Sequence, residues 1–371
     1  MDRQSGGWRA AGGLGRERSS GGLDSYAVGV APSEPNRVVA FSQDGLGHQH
    51  WVTTSLDGGA TWGAPVGPGR SAAGLALTEH ATVLGGGVLL VQSDRGWLFR
   101  SVDGGATWKI ALRPPVLGML NVVPDAARPK VAWSWNAFGR VYRSVDAGVR
   151  WRRVLPKQSG CTDVAAQPGT KVVLVACDFW IWRSVNRGAT WRRVGPTPYP
   201  LPRFSGAVPP QIEGVAFDRT RPGVAVATAL RSRGQRPQLW RSTNAGRTWQ
   251  KVATPNVSRV PMDGSAPGLG AIRVTAGAGP FVVGPFSSAG KDVFLASADG
   301  GVTWSIQPLD VGLAGGDRYD PARPDPARAT GSATALFMPV PFGQQQIWGF
   351  RSTNPLWGAI SFYVPPAPPV M

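Results

Sequence analysis

Glu213 opens a β-branched run, Gln211-Ile212-Glu213-Gly214-Val215, and is one of only four glutamates in the chain, with Glu17, Glu34 and Glu79. Scarce glutamates narrow the chemistry, because cleaving a glycosidic bond takes two flanking acids or a tyrosine activated by a glutamate. Glu213 with Tyr319 or Tyr199 is the pair that fits the second form. Asp44 is the other candidate acid, in Gln43-Asp44-Gly45-Leu46-Gly47-His48-Gln49-His50. That segment holds two of the chain's three histidines, and alternate strand residues such as His48 and His50 point the same way, as paired metal ligands would. The rest of a ligand set is missing, so the segment reads as a solvated loop, with no metal and no cofactor.

Candidate ligand contacts are His48 and His50 of that segment and residues of three longer stretches. Residues 197–211 offer Tyr199, Arg203 and Phe204; residues 255–270 offer Arg259 and Asp263. Residues 309–330 offer Arg318 and Tyr319 among Asp310, Asp317, Asp320 and Asp325. These stretches are the surplus in an otherwise regular spacing of repeats, and long neighbouring loops on a rigid scaffold are where function concentrates.

The scaffold is a recurring eight-residue turn. Its members are Ser55, Asp57, Gly59, Trp62; Ser101, Asp103, Gly105, Trp108; Ser144, Asp146, Gly148, Trp151; Ser184, Asn186, Gly188, Trp191; Ser242, Asn244, Gly246, Trp249; and Ser297, Asp299, Gly301, Trp304. A worn seventh copy starts at Ser352, where Pro355 replaces the glycine. Seven of the 16 tryptophans fall at this one position, which marks them as structural. A short aromatic or apolar run ending in arginine precedes each turn, as in Trp97-Leu98-Phe99-Arg100, and a second short run follows. That is strand, tight turn, strand, with the Asp or Asn side chain accepting backbone N–H groups of its own turn. Upstream, pairs of β-branched runs joined by Pro, Asn or Asp add two more strands per repeat. Four-stranded repeats without helical periodicity predict an all-β chain, a single β-propeller of antiparallel four-stranded blades, seven preferred over six.

A seven-bladed ring takes roughly 300–350 residues, so 371 leave room for one domain and short tails. Residues 1–22 read as a disordered Gly-, Ser- and Arg-rich tail, 23–364 as the propeller and 365–371 as a Pro-rich tail. The alternative for the N-terminus places Trp8 in an outer strand that closes the last blade. Net charge is +17, with arginine outnumbering lysine 33 to 6. Arg100, Arg143, Arg183, Arg241 and Arg351 recur at one position of the repeat, which spreads charge around a rim, whereas a phosphate-binding surface concentrates it. Nucleic acid is therefore disfavoured as a partner. No run of about 20 apolar residues marks a transmembrane span, and no apolar core of a signal peptide appears in the first 22 residues. Cys161 and Cys177 lie symmetrically about Gly169 in Gln167-Pro168-Gly169-Thr170. In a hairpin of that register they face each other, as a disulfide or as two buried thiols. A disulfide favours an oxidising compartment, extracellular or in the cell envelope; two thiols suit the cytoplasm.

The turn resembles the Asp-box, or BNR repeat, of sialidases, xyloglucanase-type glycoside hydrolases, sortilin ectodomains and photosystem II assembly factors. The resemblance runs from about Asp24 to Tyr363. It implies that the box joins the third and fourth strands of a blade, on the face away from the ligand. Sialidases also carry an Arg-Ile-Pro element before the first box, and the nearest counterpart here, Arg259-Val260-Pro261, falls far too late. Xyloglucanases place a catalytic Asp just after a strand like Pro35-Asn36-Arg37-Val38-Val39-Ala40-Phe41-Ser42; here Gln43 holds that position and Asp44 follows one residue late. The resulting expectation is a non-catalytic, monomeric propeller that binds a protein or carbohydrate partner through the long loops. A glycoside hydrolase is the first alternative, and an arginine-driven binder of an anionic polymer or membrane surface the second.

Overall fold

Runs of Val, Ile, Leu and aromatic residues between turn-forming residues form strands in the computed structural model, and no described residue is helical. The structure describes residues 9–10, 24–31, 33–43, 50–56, 63–64, 66–69, 77–93, 96–114, 120–136, 138–155, 160–195, 211–218, 220–230, 236–259, 273–276, 281–288, 291–308, 334–339, 346–351 and 360–363.

The strands are β1 (Arg9–Ala10), β2 (Asp24–Ala31), β3 (Glu34–Gln43), β4 (His50–Ser55), β5 (Val66–Gly69), β6 (Leu77–Leu84), β7 (Val88–Ser93), β8 (Leu98–Ser101) and β9 (Lys109–Leu112). There follow β10 (Leu120–Pro124), β11 (Ala132–Asn136), β12 (Arg140–Ser144), β13 (Arg152–Arg153), β14 (Cys161–Ala166), β15 (Val173–Cys177), β16 (Trp180–Ser184) and β17 (Arg192–Val194). Then come β18 (Gln211–Phe217), β19 (Ala225–Leu230), β20 (Gln238–Ser242), β21 (Gln250–Val252), β22 (Ser258–Arg259), β23 (Arg273–Ala276), β24 (Phe281–Ser288), β25 (Lys291–Ser297) and β26 (Ser305–Pro308). The last three are β27 (Thr334–Pro339), β28 (Gln346–Arg351) and β29 (Ile360–Tyr363).

They assemble into seven sheets among the described residues. Five run in chain order, β2-β3-β4-β5, β6-β7-β8-β9, β10-β11-β12-β13, β14-β15-β16-β17 and β18-β19-β20-β21. A sixth, β22-β24-β25-β26, also takes β23 on β24, and the seventh is β1-β27-β28-β29. Every strand pair with a described register is antiparallel, as consecutive strands joined by tight turns require.

Two differences from the sequence reading concern connections. The 1–22 tail does not hold at Arg9 and Ala10, which pair with Phe337 and Leu336 of β27. They occupy the first position of that sheet, the edge opposite β29, rather than the outer one expected for Trp8, which itself lies outside the described residues. The stretch 255–270 is not all loop either. Ser258 and Arg259 pair with Ser287 and Phe286 of β24, so Arg259 belongs to a sheet.

Contacts group the chain into two compact units, Met1–Ala132 with Ser144–Trp151 and Asp310–Pro365, and Trp133–Arg143 with Arg152–Leu309 and Pro366–Met371. In the first, a core of Ala31, Val39 and Val52 meets Val83, Leu89, Val91, Phe99 and Trp108, so the sheets β2–β5 and β6–β9 bury their faces on each other. In the second, Leu174, Ala176 and Ile181 pack with Ile212, Val215, Phe217 and Trp240. A further cluster joins Val226 and Leu239 to Phe281, Val283 and Leu295. The middle strand Val173–Cys177, buried on both faces, reads as an unbroken apolar run for this reason, whereas the equally buried Ala132–Asn136 includes Ser134 and Asn136.

Cys161 and Cys177 are directly opposed across β14 and β15, as the symmetry about Gly169 implied, and of the two states left open they form a disulfide. They are separated by 16 residues, a loop whose closure constrains the unfolded chain by about 3 kcal/mol. The Cys161→Ser, Cys177→Ser double variant is expected to unfold at lower urea by that amount. Unfolded, unreduced protein is expected not to react with a thiol reagent, and reaction of two thiols would contradict the bond.

Candidate functional site

The recurring turn is built around its serine. Ser101, Ser144, Ser184, Ser242 and Ser297 are buried, and each hydroxyl oxygen accepts the N–H of the glycine four residues on, at 2.8–2.9 Å. The same hydroxyl donates to Oδ1 of Asp103, Asp146, Asn186, Asn244 or Asp299, at 2.7–3.0 Å. That oxygen also accepts a backbone N–H from the far side of the turn, for example Thr107 at 3.0 Å and Thr190 at 2.8 Å. A buried hydroxyl thus satisfies a buried amide that water cannot reach, and leaving either unpaired costs about 1–3 kcal/mol.

The glycine is needed for a close approach. A Cβ on Gly246 would lie 2.7 Å from Leu174 Cδ2, with φ at +76°, so each turn presses onto a neighbouring sheet. Three of the turn tryptophans donate Nε1–H to carbonyls, Trp151 to Gly148, Trp191 to Gly188 and Val154, and Trp304 to Gly301. The residue before each of these glycines sits in the left-handed region even where it is not glycine: Ala147, Arg187 and Ala245 have φ of 55–58°.

These left-handed residues are held from both sides. Their N–H groups donate to Lys130, Lys171 and Gly223 carbonyls. Carbonyls at this turn position receive the arginine that precedes the previous turn: Arg100 Nε to Ala147, Arg183 Nε to Ala245 and Arg241 Nε to the equivalent Gly300, each at 2.7 Å. Arg143 reaches Arg187 through Nη1 at 3.2 Å. The repeating arginines therefore do not simply spread charge around a rim; four of the five donate to the next turn. Arg351 lies in β28, and nothing further is described of its side chain.

Glu213 is buried, at 8% exposure, on β18. The register of β18 on β19 shifts between Ile212 and Gly214, which makes Glu213 the extra residue of a β-bulge. Its flanks are pinned. Thr162 Oγ1 donates to the Ile212 carbonyl at 2.8 Å, the Val215 N–H donates to Asp163 Oδ2 at 3.0 Å, and the Ile212 N–H donates to the Asp178 carbonyl at 2.6 Å. Bulges re-aim a side chain, and this one holds the carboxylate on a rigid backbone. Thr162, Asp163 and Asp178 escaped the sequence reading; the signal was a polar Thr-Asp pair on a strand just after Cys161, where an apolar residue is the rule.

Asp44, Tyr319, Tyr199, Arg203, Phe204, Asp263, Arg318 and His48 lie outside the described residues, as do Asp57, Gly59 and Trp62 of the first turn. His50 begins β4, opposite Gln43. Among the described residues no group of three or more His, Cys, Asp or Glu is placed to hold a metal ion.

The fold resembles that of solved β-propellers. YCF48 from Cyanidioschyzon merolae matches at a TM-score of 0.51 and 14% identity, over 96% of this chain and 98% of that one. YCF48 bound to D1 peptide matches at 0.52 and 12% identity, over 97% of each chain. The GH74 xyloglucanase from Xanthomonas campestris matches at 0.51 and 17% identity, over 95% of this chain but only 61% of the enzyme. No protein-family profile and no curated protein matches the sequence.

Hydrogen bonding sets the acid response of the turns. Asp103 is lowered to about 2, first by the Thr107 hydroxyl and then by the Thr107 N–H and Ser101. Burial pushes Asp299 up, but bonds from Thr303, Ser297 and Val302 outweigh it and bring it to about 2. A carboxylate held below its ordinary 3.8 stabilises the fold above that pH and loses the contribution as pH falls toward 2. Asn186 and Asn244 show that an amide keeps the serine and N–H bonds without a charge. The Asp103→Asn, Asp299→Asn variant is therefore expected to show a flatter drop of urea midpoint between about pH 4 and about pH 2 than the parent protein. Identical acid profiles would contradict the assignment.

Proposed function

We propose that the chain is a single seven-bladed Asp-box β-propeller that binds a protein segment through the loops opposite its recurring turns and performs no catalysis. The observation that carries this reading is the likeness, over 97% of both chains, to YCF48 bound to D1 peptide. Seven sheets support seven blades, and the pairing of Arg9–Ala10 with β27 supports a ring closed by adding an N-terminal strand to the last three. The box residues are occupied with one another, which leaves recognition to the loops at 197–211, 255–270 and 309–330. Tyr199, Arg203, Phe204, Asp263, Arg318 and Tyr319 are the contacts proposed there. The disulfide supports an oxidising compartment, extracellular or in the cell envelope, and the chain acts as a monomer.

A second reading, a glycoside hydrolase, draws on the xyloglucanase likeness and on Glu213, a buried acid on a pinned bulge. One pair of experiments separates the two. Purified protein is incubated with sialosides, β-glucans and xyloglucan oligosaccharides, with products followed by mass spectrometry. The same protein is used to select peptides from a displayed library. The binding reading expects no released sugar, and enriched peptides that are lost on Tyr199→Ala, Arg203→Ala or Phe204→Ala. Sugar release that disappears in Glu213→Gln or Asp44→Asn would overturn it in favour of the hydrolase. Failure to enrich any peptide would overturn the choice of a protein partner.

A further inference from the structure

The turns of the second unit carry cations that the fold does not use. Turns 184–191, 242–249 and 297–304 are tied side by side, Arg183 bonding the Ala245 carbonyl and Arg241 the Gly300 carbonyl. Arg187 and Arg247 project from the first two and are exposed, and Lys171, whose carbonyl receives the Arg187 N–H, is exposed beside them. None of the three forms an ion pair with a described residue. The charges are close enough to oppose one another: Arg183 is pushed down first by burial and then by Arg247.

Two further features sharpen the pattern. Asn186 and Asn244 stand where Asp103, Asp146 and Asp299 stand in other turns, and they make the same bonds, so the turn keeps its geometry and loses its negative charge. Asp299 is the one carboxylate left on these three turns. The tips are also aliphatic where they should be polar. Val185 is 53% exposed and Val302 51%. In the first unit Leu56, Val102 and Val145 hold the second turn position, as Val185 does, at 66%, 61% and 57% exposed, and Val149 holds the sixth, as Val302 does, at 55%. Side chains that stay more than half in water contribute little to the core, and a recurring position of this kind points to an interaction surface.

We propose that this turn edge of the second unit docks on an anionic lipid surface, with Val185 and Val302 entering the boundary between headgroups and acyl chains and Lys171, Arg187 and Arg247 meeting lipid phosphates. Apolar side chains set among cations on a rigid framework are the combination that interfacial binding requires, because burial of the tips and attraction to the headgroups act together. A soluble polyanion would use the cations and leave the valines unexplained. A second copy of the chain would cover the valines but bring like charges together.

The test is co-sedimentation of the full chain with vesicles of phosphatidylcholine containing phosphatidylserine, against vesicles of phosphatidylcholine alone. Binding is expected to the mixed vesicles, falling as salt rises. Arg187→Gln with Arg247→Gln should weaken it about 30-fold, about fivefold for each charge removed. Val185→Ser with Val302→Ser should weaken it several-fold while leaving heparin binding and the urea midpoint unchanged. No binding to the mixed vesicles would overturn the proposal. So would vesicle binding that ignores the valine changes and is fully displaced by heparin, which would make the edge a polymer site. A dimer in gel filtration that the valine variants dissolve would also overturn it.

Discussion

Each of the five recurring turns described in full hangs on one buried hydroxyl. Ser144, for example, accepts the Gly148 N–H and donates to Asp146, and both bonds form where solvent cannot replace them. Because the glycine amide is satisfied from behind, its Cα can press against a neighbouring sheet, where a Cβ would lie 2.8 Å from Leu90 Cδ2. The turn is then rigid enough to present the carbonyl of its left-handed residue in a fixed direction. Arg100 of the preceding strand meets that carbonyl at 2.7 Å. The chain of dependence runs from hydroxyl to glycine to carbonyl to guanidinium. It repeats through Arg183 and Arg241 in the second unit.

This arrangement explains how sheets with short outer strands hold together. Such strands bury little each, and the outermost are short: β13 has two residues, β17 and β21 three. The exposed arginines Arg152, Arg153, Arg192 and Arg193 on these edges are better read as guards against edge-to-edge pairing than as a binding stripe. The Arg193 guanidinium lies 4.3 Å from the Trp180 ring centroid, a cation–π contact that covers the face of a half-buried ring. The polar groups of the recurring turns serve the scaffold, which leaves recognition to residues outside them and to what the turn tips present to solvent.

Much of the scaffold was legible because its signals are local. The Ser-Asp-Gly-Trp spacing specifies a turn by its own hydrogen bonds, and the symmetric placement of Cys161 and Cys177 about Gly169 specifies the hairpin register. What escaped depends on partners far along the chain. Arg183 bonds a carbonyl 62 residues away, and nothing in the local sequence distinguishes that from a surface charge. Thr162 pins a carbonyl 50 residues on, which is why the bulge at Glu213 could not be anticipated from its own strand. Arg9–Ala10 sits in a Gly- and Ser-rich segment with no strand propensity, and its pairing with β27 is a tertiary event. Arg259 was assigned to a loop for the same reason, since its partner Phe286 lies beyond the intervening strand β23.

The central claim is that the recurring arginines are ties between successive turns, and it is tested most directly by urea unfolding of Arg183→Met and Arg241→Met. Methionine keeps an unbranched stem of similar reach and removes the donor. A charge-assisted bond to a partly buried carbonyl is worth about 1.5–3 kcal/mol, so each variant is expected to lose that much stability with an unchanged far-ultraviolet circular dichroism spectrum. A change within about 0.5 kcal/mol, the usual effect at an unattached surface arginine, would contradict the account.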